Sequence, residues 1–104
     1  MPTLAQLLPL LAAEPGDAFL RYAVAMEYAK QGQTEPALKE FRELLQRHPD
    51  YVAGYHMAGR TSEQAGDLEQ AKTYYRSGIS AAQRTGDQHA AGEISAALMM
   101  IETD

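Results

Sequence analysis

Residues 25–49 read AMEYAKQGQTEPALKEFRELLQRHP, and residues 59–83 read GRTSEQAGDLEQAKTYYRSGISAAQ. Laid over each other at an offset of 34 residues, the two stretches agree where a helical hairpin is shaped. Gly32 falls on Gly66, Glu35 on Glu69, Ala37 on Ala71, Phe41 on Tyr75 and Arg42 on Arg76. In each, a glycine separates two runs whose apolar residues recur at three- and four-residue spacing, the periodicity of helix. A self-similar period of this length is the mark of a stacked array, in which each unit buries its apolar face on the next.

Working outward, the breakers Pro15-Gly16, Gly32, His48-Pro49, Gly66 and Gly86 divide the chain into six segments. They predict helices over 3–13, 17–31, 35–47, 51–64, 68–84 and 87–101. β-branched apolar residues are sparse and do not alternate, so strands are not expected. The expected N-caps are Thr3 (with Gln6 completing a capping box), Asp17, Thr34, Asp50, Asp67 (with Gln70) and Asp87. Pro9 sits mid-helix, where it removes a hydrogen bond and should kink or split the first segment. Short connections make consecutive helices antiparallel neighbours.

The paired stretches resemble the tetratricopeptide repeat family. Its small residue at the helix crossing is Ala25 in one unit and Gly59 in the next. The aromatic one turn on is Tyr28, replaced by Ser62. The turn glycine is Gly32 and Gly66, the small residue of the second helix Ala37 and Ala71, and its aromatic Phe41 and Tyr75. The closing proline is Pro49, replaced by Gln83. The family's tryptophan slot holds Arg21 and Tyr55, and Leu20 is expected to fill the space at Arg21. One period back, Leu7 takes the aromatic slot and Pro15 the proline slot. The resemblance implies an all-α fold, a short right-handed solenoid of about six helices in antiparallel pairs. It divides the chain into an N-terminal capping helix (1–16), a first repeat (17–50), a second repeat (51–85) and a C-terminal capping helix (86–104). In the last segment the strict offset would bury His89, Gly92 and Glu93. The apolar stripe is instead Ala90, Ile94, Ala97, Leu98 and Ile101, so the fifth helix is expected to run long and shift the register. On that helix Leu68, Ala71, Tyr75, Gly78, Ile79 and Ala82 form the core stripe. Tyr55, Ala58, Gly59, Ser62 and Ala65 oppose it on the fourth.

Composition removes several kinds of function. The 104 residues carry 9 Lys and Arg against 14 Asp and Glu, a net charge of −5, which argues against nucleic acid or an anionic membrane as partner. There is no cysteine, hence no disulfide, thiolate metal site or Cys nucleophile. Leu4–Ala13 is too short to span a bilayer, and no basic residue precedes Arg21, so a signal peptide is not expected and the location is expected to be cytoplasmic. His48, His56 and His89 lack metal-ligand spacing, so no metal or cofactor is expected. No serine has a nucleophile-elbow setting and no glycine run forms a phosphate loop, so an enzyme is not expected. Glu43 and Arg47 are spaced to pair on a solvated face.

What remains is contact with another protein, which the resemblance also implies: a scaffold or adaptor presenting a concave groove to a peptide or helix. On the second helix a second apolar set, Phe19, Tyr22 and Met26, lies outside the core stripe. Either the N-terminal helix folds over these three as ordinary core, or they form an exposed anchor patch for a partner. One period on, the same face carries Ala53, His56, Arg60 and Glu63. His56 and Arg60 would orient the partner, or Arg60 would simply pair with Glu63 or Glu27. Some members of the family clamp acidic chaperone tails with Lys, Asn and Arg. The matching slots here hold Tyr22, Met26, Met57, Asp87 and Ala91, and the chain has no asparagine, so that route is not expected. The alternative is self-association through the groove or the exposed ends, Met99 included, as a symmetric homodimer.

Overall fold

A computed structural model describes residues 2–102. It consists of six helices, α1 (Leu4–Ala13), α2 (Ala18–Lys30), α3 (Thr34–Arg47), α4 (Val52–Gln64), α5 (Leu68–Thr85) and α6 (Gln88–Glu102), with no strand among the described residues. Each helix packs on its neighbour in sequence, most extensively within the pairs α2–α3 and α4–α5. The repeat is visible in single bonds. Gly32 (φ +79°) and Gly66 (φ +83°) turn the chain through the left-handed region, where a Cβ is penalised. Across those turns Gln33 N–H donates to the Tyr28 carbonyl and Asp67 N–H to the Ser62 carbonyl, both at 2.9 Å.

Four of the six expected caps form. Thr3 and Gln6 make the reciprocal capping box, and Asp17, Asp67 and Asp87 each accept a backbone N–H at 3.0 Å. Two do not. Thr34 is already helical, behind a Gln33 cap that makes no side-chain bond. Pro36, the third helical residue, has no N–H to donate to a cap. Asp50 precedes the Tyr51 cap and gives its carboxylate to Arg84 at 2.9 Å, a charge-assisted bond that outcompetes a backbone donor. Gln70 likewise leaves the Asp67 box open and donates to Ser62 Oγ at 3.0 Å.

Pro9 does not split α1, which continues as one helix from Leu4 to Ala13. Leu7 and Leu11, on either side of it, are buried against Val24 of α2. Burial of two leucines contributes about 3–6 kcal/mol, against about 3 kcal/mol for an internal proline. The core is otherwise organised around Phe41 and Tyr75, both fully buried and 34 residues apart. Gly59 lies under the Tyr75 ring, and the small residue is required there because the helices approach closely. Ala65 and Leu68 are exposed rather than in the core stripe, because both sit at the α4–α5 turn, beyond the helix overlap. As expected, α5 is longer than α3, 18 residues against 14, and α6 packs through Ile94, Ala97, Leu98 and Ile101.

The slot of the missing tryptophan is filled by polar chemistry. Arg21 is buried. Its Nη1 lies 2.7 Å from Glu40 Oε1, and its Nη2 donates to the Pro15 carbonyl at 2.9 Å. One period later the Tyr55 hydroxyl donates to the Pro49 carbonyl at 2.8 Å. Each carbonyl takes a second donor from the end of the following helix pair, the guanidinium of Arg47 at Pro15 and of Arg84 at Pro49. Leu20 does not fill the slot. It turns to α1 and joins Leu7, Leu11 and Val24.

Candidate interaction groove

Two clefts meet on one side of α2. The first, about 250 Å³, is walled by Pro2 and Leu7 on the N-terminal side and by Phe19, Tyr22, Ala23, Met26 and Glu27 of α2. The second, about 240 Å³, lies between α2 and α4, with Met26, Lys30, Met57, Arg60 and Gln64 among its lining residues. Met26 and Glu27 line both, so the two clefts adjoin along one side of α2 as neighbouring parts of a groove.

The three apolar residues singled out from the sequence are brought together in different states. Phe19 is 70% exposed. Tyr22 is half-buried, its ring centroid 5.3 Å from that of Tyr51 and 6.4 Å from that of Phe41. Burial raises its phenol pKa, with Tyr51 adding to the effect. Met26 is half-buried at the junction of the clefts. The N-terminal helix therefore flanks the stripe without closing over Phe19, because its own buried leucines point to Leu20 and Val24 instead.

Arg60 is exposed at the rim of the second cleft. Among the described residues it makes no ion pair, against the expectation that Glu63 or Glu27 would take it. Glu63 accepts the hydroxyl hydrogen of Tyr75, and Glu27 lies 3.9 Å from Lys30. His56 lines neither cleft. Its ring packs edge-on against Tyr75 with centroids 6.1 Å apart. Burial, then the charge of Arg60, hold its imidazole below the usual histidine range. The unfolded chain therefore binds more protons than the folded one as pH falls through about 6.5, and stability falls with it. We expect His56→Gln to flatten the dependence of stability on pH between 5 and 7, measured by urea unfolding. An unchanged slope would show that His56 does not carry it.

Lys30, which lines the second cleft, was not singled out from the sequence, and Met57 was placed in a groove slot without being assigned to partner contact. Met57 lies 31 residues after Met26, off the repeat offset of 34, so the offset alone does not pair them, although both fall in the family's groove slots. The described residues contain no cluster of three His, Asp or Glu suited to a metal ion, and no helix long and apolar enough to cross a membrane.

An open groove on antiparallel helix pairs of 34-residue period defines a helical-repeat domain, a fold that serves generally in protein–protein interaction. Residues 1–77 match the tetratricopeptide repeat family, and the chain belongs to it. It is 28% identical over 93 residues to a TPR repeat-containing protein of Pseudomonas aeruginosa, covering 89% of each. The crystal structure of a tetratricopeptide repeat domain protein from Salinibacter ruber is 35% identical, with a TM-score of 0.76 over 83% of this chain and 96% of that one. PcrH, solved in complex with the chaperone binding region of PopD, shares the fold with a TM-score of 0.89 at 18% identity, over 95% of this chain and 75% of its own.

Proposed function

We propose that this chain is an adaptor that holds a peptide or helix of a partner protein in the α1–α2–α4 groove. The observation that carries the reading is the groove itself, with Phe19 exposed at one end, Met26 between the two clefts and, at the other end, an exposed Arg60 that makes no ion pair among the described residues. A partner's apolar side chain packs against Phe19, Tyr22 and Met26, and Arg60 orients the segment by a charge-assisted bond. His56 sets the groove from beneath, through its packing on Tyr75, the residue over which α4 crosses α5. That PcrH, of the same fold, is seen with a region of PopD supports a peptide-holding role.

The test is selection of peptides from a random display library on the immobilised chain. Phe19→Ser and Met26→Ala are each expected to weaken the selected peptides about tenfold or more, since burial of such a side chain is worth about 1.5–3 kcal/mol. Gln83→Ala, outside the groove, is expected to leave them unchanged. Unaltered affinity in both groove variants would overturn the reading.

A further inference from the structure

The groove changes character along its length, and the change bears on what it can hold. On α2 one face carries Phe19, Tyr22, Met26 and Lys30, spaced i, i+3, i+7 and i+11. On α4 the residues turned to the second cleft include Met57, Arg60 and Gln64, spaced i, i+3 and i+7. Each of these helices opens a hairpin, so the two run the same way. Both faces therefore pass from apolar to cationic toward their C-terminal ends. Among the residues lining the first cleft, Glu27 is the one charged side chain. The second cleft adds Lys30 and Arg60, two cations against one carboxylate, in a chain whose net charge is −5.

The two cations are not committed elsewhere. The Lys30 side chain is 62% exposed, and its Nζ lies 3.9 Å from Glu27, too far for a hydrogen bond. Arg60 is exposed, and among the described residues its guanidinium makes neither a hydrogen bond nor an ion pair. The nearby Thr61 hydroxyl is already spent on the Met57 carbonyl at 2.8 Å. The negative charge of the rest of the chain does not cancel this local excess, because exposed charges are screened beyond about 8 Å at physiological ionic strength.

A side-chain carboxylate suits this end of the groove better than the carboxylate of a chain terminus. Chain termini are captured by successive backbone N–H groups. Here α2 and α4 end, Lys30 being the last residue of α2, and a helix C-terminus presents carbonyls instead.

We propose that the segment held in the groove is an acidic one, with apolar side chains packed against Phe19, Tyr22 and Met26 and an Asp or Glu side chain taken by Lys30 and Arg60. This rests on the groove as the binding site. Spacing follows from the helix. Met26 and Lys30, four residues apart, stand about 6 Å apart along α2. About two residues of extended peptide, or four of helix, cover that distance. The acid therefore follows the nearest apolar anchor at that short spacing, and always on the same side of it.

Peptides selected from a random display library on the wild-type chain test this, compared with those selected on the Lys30→Glu, Arg60→Glu double variant. Lys39→Glu with Arg42→Glu, at two exposed positions of α3 outside the groove, is a control of equal net charge. Circular dichroism checks that each variant remains helical. Wild type and control are expected to select Asp or Glu beside the apolar anchors, and the groove variant to select Lys or Arg there. A peptide selected on the wild type, synthesised with an amidated C-terminus, is expected to bind the groove variant about tenfold more weakly and the control with unchanged affinity. Peptides that depend on Phe19 and Met26 but show no acidic preference, and bind the groove variant undiminished, would overturn this proposal and leave the groove reading standing. Binding that only the free-acid form of the peptide shows would also overturn it, in favour of a chain terminus. Peptides indifferent to Phe19→Ser and Met26→Ala would overturn both.

Discussion

Gly59→Ala is expected to lower the melting temperature by about 10–20 °C, although it replaces glycine with the best helix former. The helical gain is about 1 kcal/mol. Against it, the new Cβ would sit 2.2 Å from Cε1 and 2.5 Å from Cδ1 of Tyr75, far inside van der Waals contact. The ring has nowhere to go, since Tyr75 is fully buried and its hydroxyl is held by Glu63. Overpacking of this kind costs about 3 kcal/mol or more, leaving a net loss of about 2–3 kcal/mol, and each kcal/mol shifts a domain of this size by about 4–8 °C. Two controls sharpen the test. Gly92→Ala, with open space around it, should gain a few tenths to about 1 kcal/mol. Adding Tyr75→Leu to Gly59→Ala should cost less than the sum of the two single changes, because the clash is relieved. Thermal and urea unfolding measure all four proteins. A Gly59→Ala chain as stable as the wild type would show that α4 and α5 are not pressed together as described.

Arg21→Ala is expected to cost about 3 kcal/mol, and Arg21→Met less. The guanidinium is buried between Glu40 and the Pro15 carbonyl. Truncating it strands a largely buried carboxylate and a turn carbonyl, and breaking such a pair from one side costs about 3–5 kcal/mol. Methionine keeps the apolar stem that packs in the slot. Replacing both partners, Arg21→Met with Glu40→Met, removes the stranded charge and should recover most of the loss. If Arg21→Ala cost under about 0.5 kcal/mol, the pair would be behaving as an exposed one.

The period carried most of the fold. Gly32 over Gly66 and Phe41 over Tyr75 place the turns and the two central aromatics, and the structure sets them in equivalent roles. What the pattern did not carry were choices settled by long-range partners. Asp50 prefers Arg84, 34 residues away, to capping its own helix. Arg21 finds Glu40 across the pair, a contact that no local spacing announces. Pro9 is tolerated because Leu7 and Leu11 are held from outside the helix. The groove was half legible. Phe19, Tyr22 and Met26 share a face by helical spacing alone, whereas Met57 meets Met26 across the second cleft because α4 packs beside α2. His56 shares that slot pattern yet turns inward to Tyr75.

The donors on the Pro15 and Pro49 carbonyls bear on mechanics. Each inter-unit joint is pinned at a single oxygen by two side chains, one from the helix that follows it and one from the far end of the next hairpin. Such a joint ties the turn that precedes each hairpin to both helices of that hairpin. Arginine in one joint and tyrosine in the other meet the same oxygen from the same slot. The two residues thus supply one and the same tether at equivalent joints, one through a guanidinium and the other through a hydroxyl.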